Sequence, residues 1–289
     1  MRPVRPGPPL LIGAVAFAGL HAAGVLVAQP VWRYAEVLSL GLLLAYALVS
    51  GVPAPRWAVP AALTVLLLDA VRTTPPAPGT ERHVLMIERG ADLDVPSGFE
   101  SGLTLCWASL TAVAVLLTVW RRDGWHRRVT AGAAVAALLV AGYAVVRVVD
   151  IWLAVRAEPR PYLHGTDSAD PVIAVGLAVL PPLALGLTAL ALATALAGHG
   201  RRLASAGAVL LAVVALPYLD ASIGAVPLPL YAADRTAMFA GNAITPTLSL
   251  PRPVPALTVA VELAAYLLLV VGLTGSRRPT RAVTTEPAG

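Results

Sequence analysis

The sequence predicts an all-α polytopic membrane protein of about eight transmembrane helices with both termini in the cytoplasm. Three observations carry that expectation. Mean hydropathy is +0.76, with 57% hydrophobic and only 13% charged residues, where a soluble domain carries about 25% charged residues. Eight apolar stretches reach or approach the roughly 20 residues that a spanning helix needs. Arginine is concentrated at the termini and in alternate loops. In lipid the backbone must satisfy its own polar groups, which makes each such stretch a helix.

The spans read as Leu10–Ala28, Tyr34–Val52, Trp57–Thr74, Leu103–Trp120, Val129–Val155, Pro171–Ala197, Leu203–Leu219 and Val254–Gly275. The first follows Arg2 and Arg5 in the manner of a signal peptide, but its apolar run is longer than the usual core of one and ends in no clear cleavage site. The third is the weakest, since its purely apolar run stops at Leu68 and Asp69 follows. Pro181-Pro182 falls in the middle of the sixth and is expected to kink or break it.

All 21 basic residues are arginine. Arg2, Arg5, Arg56, Arg121, Arg122, Arg127, Arg128, Arg201, Arg202, Arg277, Arg278 and Arg281 share their segments with only two acids, Asp123 and Glu286. The intervening loops have mixed charge, as in 72–102 with Glu81, Arg82, Glu88, Arg89, Asp92, Asp94 and Glu100. The positive-inside rule therefore places the termini inside and the mixed loops outside, and the cytoplasmic membrane of a bacterium is the expected location. Arginine flanks account for the pI near 9.9 without nucleic acid as a partner. Membrane lipids are the expected surroundings, and the oligomeric state is not legible.

The two halves, 1–128 and 129–289, are similar in layout. Each has four spans and its longest external loop, 75–102 or 220–253, between the third and fourth. Leu68-Asp69-Ala70 matches Leu219-Asp220-Ala221, Glu81-Arg82 matches Asp234-Arg235, Leu103-Thr104 matches Leu257-Thr258, and Arg121-Arg122 matches Arg277-Arg278. The offsets run 151, 153, 154 and 156, a drift that small loop insertions produce. Even-numbered halves imply parallel repeats about an axis along the membrane normal.

Ionisable groups within a membrane cost about 2.5–3.5 kcal/mol each on insertion scales and mark candidate sites. Here they are His21, Glu36, Asp69, Arg147, Asp150, Asp220 and Glu262. All seven fall in the predicted outer half, Glu262 about 12 Å below the outer end of its helix at 1.5 Å per residue. Those near helix ends can also snorkel to the interface. The pattern predicts a polar cavity open to the outside above a dry cytoplasmic floor. Glu262, Asp69, Asp220, Arg147 and Asp150 are the candidate catalytic residues. His21, Glu36, Arg82 and Arg235 are candidates for substrate binding. Arg147 and Asp150, at i, i+3, can pair on one helix face. Glu262 needs Arg147, His21, a hydroxyl or a proton of its own. His21 lies between Gly19 and Ala23, small residues of the kind that allow close helix packing.

The loop before the eighth span is apolar and proline-broken, and is expected to lie on or dip into the outer interface. Together with 75–102, where His83–Ile87 could form a short strand, it could make a lid. Cys106 is the single cysteine, so disulfides and thiolate metal centres within the chain are excluded. No HExxH, Walker loop, GxGxxG, GxSxG or aspartate-rich diphosphate motif occurs, and no metal or cofactor is indicated. Two readings follow. One is an enzyme or binding protein that handles a lipid-like or hydrophobic small molecule by carboxylate acid–base chemistry. The other is a transporter or permease component using the duplication for gating. A non-catalytic subunit or signalling partner is a third.

Overall fold

Each of the eight predicted spans folds as a helix over its described residues. The structure, a computed structural model, describes residues 7–51, 55–74, 95–119, 127–157, 170–226 and 253–274. Among the described residues there are eight α-helices and no strand: α1 (Gly7–Leu26), α2 (Tyr34–Ser50), α3 (Ala58–Thr73), α4 (Val95–Val119), α5 (Arg127–Ala157), α6 (Asp170–Gly198), α7 (Arg202–Ala225) and α8 (Pro253–Thr274). Six of them are long and apolar enough to cross a membrane, which points to a membrane protein. The other two, α2 with 17 residues and α3 with 16, measure about 25 Å at helical rise, short of a hydrocarbon core of about 30 Å.

Size inverts between inside and outside. The core is dominated by alanine, with Ala14, Ala112, Ala174, Ala189, Ala208 and Ala265 all essentially inaccessible. Leu138, Ile12, Val254 and Leu257 stand on the surface at 65–73% exposure. Water would drive those large side chains inward, whereas lipid leaves helix packing to close van der Waals contact between small residues.

The helices form a ring in which α1 meets α2, α2 meets α3, α3 meets α4, α4 meets α6 and α7, and α7 meets α8, which returns to α1. Helix α5 lies outside it, packed chiefly on α6. Only 11% of the apolar stretch of α5 is buried, against 50% in α6 and in α7. The closest pair is built on glycine. A side chain at Gly98 or Gly102 would run into the carbonyls of Ala174 and Ala178 on α6. Between α7 and α8, Gly207 lies against Ala265 and Gly272 against Ala204 in the same way.

These glycines explain one departure from the sequence reading. Residues 95–102 were expected in the loop, because Ser97, Gly98, Glu100 and Gly102 are poor span formers, yet they make the first two turns of α4. Their i, i+4 glycines are the packing surface for α6. Helix α6 also runs unbroken through Pro181-Pro182. Pro182 lacks the N–H that would bond the Ala178 carbonyl, and that carbonyl is the one lying against Gly102. Such carbonyls are tolerated where a neighbouring helix approaches closely.

Asp69 and Asp220 lie near the ends of α3 and α7. Residues 220–225 continue α7 beyond the expected end of the span. Glu81-Arg82, Asp234-Arg235, the His83–Ile87 strand and the remainder of the expected lid lie outside the described residues.

Candidate functional site

The turn that closes α1 sets up the first pair. Gln29 N–H donates to the Gly24 carbonyl (2.9 Å) and Ala28 N–H to Val25 (3.2 Å), the hydrogen-bond pattern of a Schellman cap. Ala28 takes the left-handed position, with φ 53°. The chain then passes through a 3-10 turn, Pro30–Arg33, that folds back on α1. It comes so close that any side chain at Gly24 would strike Trp32. The Trp32 carbonyl consequently reaches 3.3 Å from His21 Nδ1. On the other edge of the ring, His21 Nε2 is 3.4 Å from Glu36 Oε2 in the first turn of α2. His21 is buried, at 4% exposure. Gly19 and Ala23, the small neighbours singled out in the sequence, face outward, so the close approach is made at Gly24 instead.

Glu262, on α8, has no cationic partner among the described residues. Its Oε1 accepts from Ser109 Oγ at 2.7 Å and from Tyr266, one turn further on, at 3.5 Å. Its Oε2 accepts from Tyr218 at 2.5 Å. Asp69 accepts the indole N–H of Trp107 at 2.8 Å. No buried side-chain polar atom among the described residues lacks a partner.

His21, Glu36, Asp69, Ser109, Tyr218, Glu262 and Tyr266 surround one cavity of about 130 Å³, completed by Leu40, Leu66, Leu105, Ala108, Val259 and Leu263. Six helices contribute; α5 and α6 do not. A water needs only about 10–15 Å³ measured this way, so the space takes several waters or a small polar group. Beneath it a narrow crevice of about 10 Å³ runs between α3, α4 and α8, walled by Val59, Leu63, Leu116, Leu269 and Leu273. Tyr266 and Leu66 border both spaces.

The remaining predicted residues form a second cluster. Arg147 Nε donates to Asp220 Oδ1 at 2.8 Å, Tyr143 OH donates to Asp220 Oδ2 at 2.7 Å, and Arg147 is 3.9 Å from Asp150. The structure therefore brings Glu262, Asp69, His21 and Glu36 together, and holds Arg147, Asp150 and Asp220 apart from them. Two geometric facts separate the sets. Helix α5 packs on α6 rather than on α8, so Arg147 does not meet Glu262. Tyr218 and Asp220 are two residues apart on α7, about 200° around a helix of 3.6 residues per turn; with Tyr218 in the cavity, Asp220 faces α5. Arg82 and Arg235 lie outside the described residues.

Sequence reasoning missed Ser109, Tyr218, Tyr266 and Trp107, because it weighed only ionisable groups. One signal was present: Tyr266 stands four residues after Glu262, on the same helix face. Cys106 is buried and donates to the Gly102 carbonyl at 3.2 Å. No three His, Cys, Asp or Glu side chains among the described residues are placed to hold a metal ion.

Comparison with protein-family models, with curated proteins and with solved structures found no match to this chain.

Proposed function

We propose that this membrane protein uses the cavity at one end of its bundle to bind the polar end of a hydrophobic, lipid-like molecule, as an enzyme or a binding protein. Its carboxylates supply the acid–base chemistry. The observation that carries this reading is the composition of the cavity wall. Glu36, Asp69, Glu262 and His21 meet hydroxyls there, while Leu40, Leu105, Val259 and Leu263 complete the same wall. A polar head satisfies the first set and the start of a hydrocarbon chain the second, in a bundle whose outer surface suits lipid. Arg147, Asp150 and Asp220 are then a tether holding α5 to α7, not reacting groups.

The transporter reading has one observation of its own. Tyr266 and Leu66 separate two spaces on one path, as a gate would. Against it stands the lower crevice, whose walls are apolar apart from Tyr266. A translocation path for a polar group needs polar lining in both halves.

The test is mass spectrometry of the protein purified in nanodiscs made with native lipid extract. The wild type should retain a specific amphiphile, and Val259→Trp, which fills the cavity, should lose it. Equal retention by both proteins would place the bound molecule elsewhere and end the cavity reading.

A further inference from the structure

We propose that His21 and Glu36 share a single proton, and that this couple is the proton donor and acceptor of the cavity. The proposal rests on the binding reading above and names which of its acid–base groups carries the proton.

The argument is one of donors and acceptors. A backbone carbonyl only accepts, so His21 Nδ1, 3.3 Å from the Trp32 oxygen, must be the protonated nitrogen. In neutral imidazole that leaves Nε2 with a lone pair. Nε2 faces Glu36 Oε2 at 3.4 Å, and a carboxylate oxygen is also an acceptor. Two acceptors held face to face repel unless a proton lies between them. The pair is therefore complete with one proton, carried by nitrogen as imidazolium or by oxygen as a carboxylic acid.

No other carboxylate of the cavity is in this position. Glu262 accepts hydrogen bonds from the hydroxyls of Ser109, Tyr218 and Tyr266, and Asp69 accepts one from the indole N–H of Trp107. Those neutral donors satisfy an ionised carboxylate with no proton drawn from outside. The charged and titratable groups facing the couple are Arg33 from the 3-10 turn, Asp69 from α3, Tyr218 from α7, and Glu262 and Tyr266 from α8. Delivery is balanced: one proton leaves the couple for a basic atom of the bound molecule, and one returns from water. No covalent bond to carbon changes. The hydrogen bond from its far nitrogen to Trp32 opposes rotation of the ring away from the repulsion left behind, which favours uptake of the next proton.

The experiment follows the imidazole of His21 by NMR in the full chain, labelled with 15N-histidine in nanodiscs without added ligand, the signal assigned by its loss in His21→Asn. Nδ1 should stay protonated throughout, while Nε2 titrates. In Glu36→Gln the midpoint should fall by about one pH unit or more, the size expected when two sites titrate as a unit. Glu36→Asp should recover part of the shift. An unchanged midpoint in Glu36→Gln, or an Nδ1 that loses its proton, overturns the proposal. Should Glu36→Gln not fold, the infrared carboxyl and carboxylate bands followed against pH decide the matter: the transition between them must shift in His21→Asn, and bands that titrate unchanged overturn the sharing. Because this titration is read on the empty protein, it stands or falls separately from the retention of an amphiphile.

Discussion

Glu262 lies deep in an apolar helix, and three hydroxyls hold it where no cation among the described residues does. A hydrogen bond to a charged group contributes about 1.5–3 kcal/mol, roughly twice that of a neutral one. Tyr218→Phe should therefore lower stability in detergent by about that amount, read from thermal unfolding. The cost should shrink in the Glu262→Gln background, where the acceptor carries no charge and the two changes share one contact. Equal costs in both backgrounds would mean that the Tyr218 hydroxyl does not serve the carboxylate. The sequence made Glu262 conspicuous by its depth, and a hydroxyl stood among its possible partners. Which partner it takes was not legible, since that depends on α4 and α7 arriving at the height of α8, 153 and 44 residues away in the chain. Depth also gave Arg147 the same prominence, although its partner is Asp220. Depth is a property of one helix, whereas pairing belongs to two.

Helix packing shows the same division between what one helix encodes and what two decide. Hydropathy located all eight helices, because transfer into lipid depends on composition alone. It misplaced the start of α4, where glycine and serine lower apolarity and bring the backbone onto α6. Gly102 gives the sharper test. Its neighbours across the interface are the Ala178 backbone and the Pro181 ring, neither of which can yield as the end of a flexible side chain would. Gly102→Val should force α4 and α6 apart, and little monodisperse protein should survive size-exclusion chromatography. Gly142→Ala, with nothing within 4 Å of the added methyl, should elute as the wild type does. If both variants behave alike, the close approach of α4 and α6 is not what holds the bundle together.

At the scale of the whole molecule, the polar side chains of the cavity come from the last two turns or so of α1, α3 and α7, the first turn of α2, and the middle of α4 and α8. Four of the seven ionisable groups singled out in the sequence, His21, Glu36, Asp69 and Glu262, meet there, while Arg147, Asp150 and Asp220 form the cluster between α5 and α7. Among the described residues, Arg56, Arg127, Arg201 and Arg202 stand at or just before the starts of α3, α5 and α7, away from the cavity, and the positive-inside rule applied to them predicts a cavity that faces the outside of the cell. This predicts a one-sided pattern of chemical access. In a Cys106→Ala background, cysteines placed at Arg89 and Thr166 should react with an impermeant maleimide on intact cells, while one at Gly124 should react only after the membrane is opened. A cysteine at Val259, in the wall of the cavity, should react from outside with a small charged thiosulfonate, and prior treatment with a bulky one should protect it. Labelling of Gly124 on intact cells, with Arg89 silent, would reverse the orientation and turn the cavity toward the cytoplasm. The proton of His21 and Glu36 would then be drawn from the cell interior, and the amphiphile from the inner leaflet.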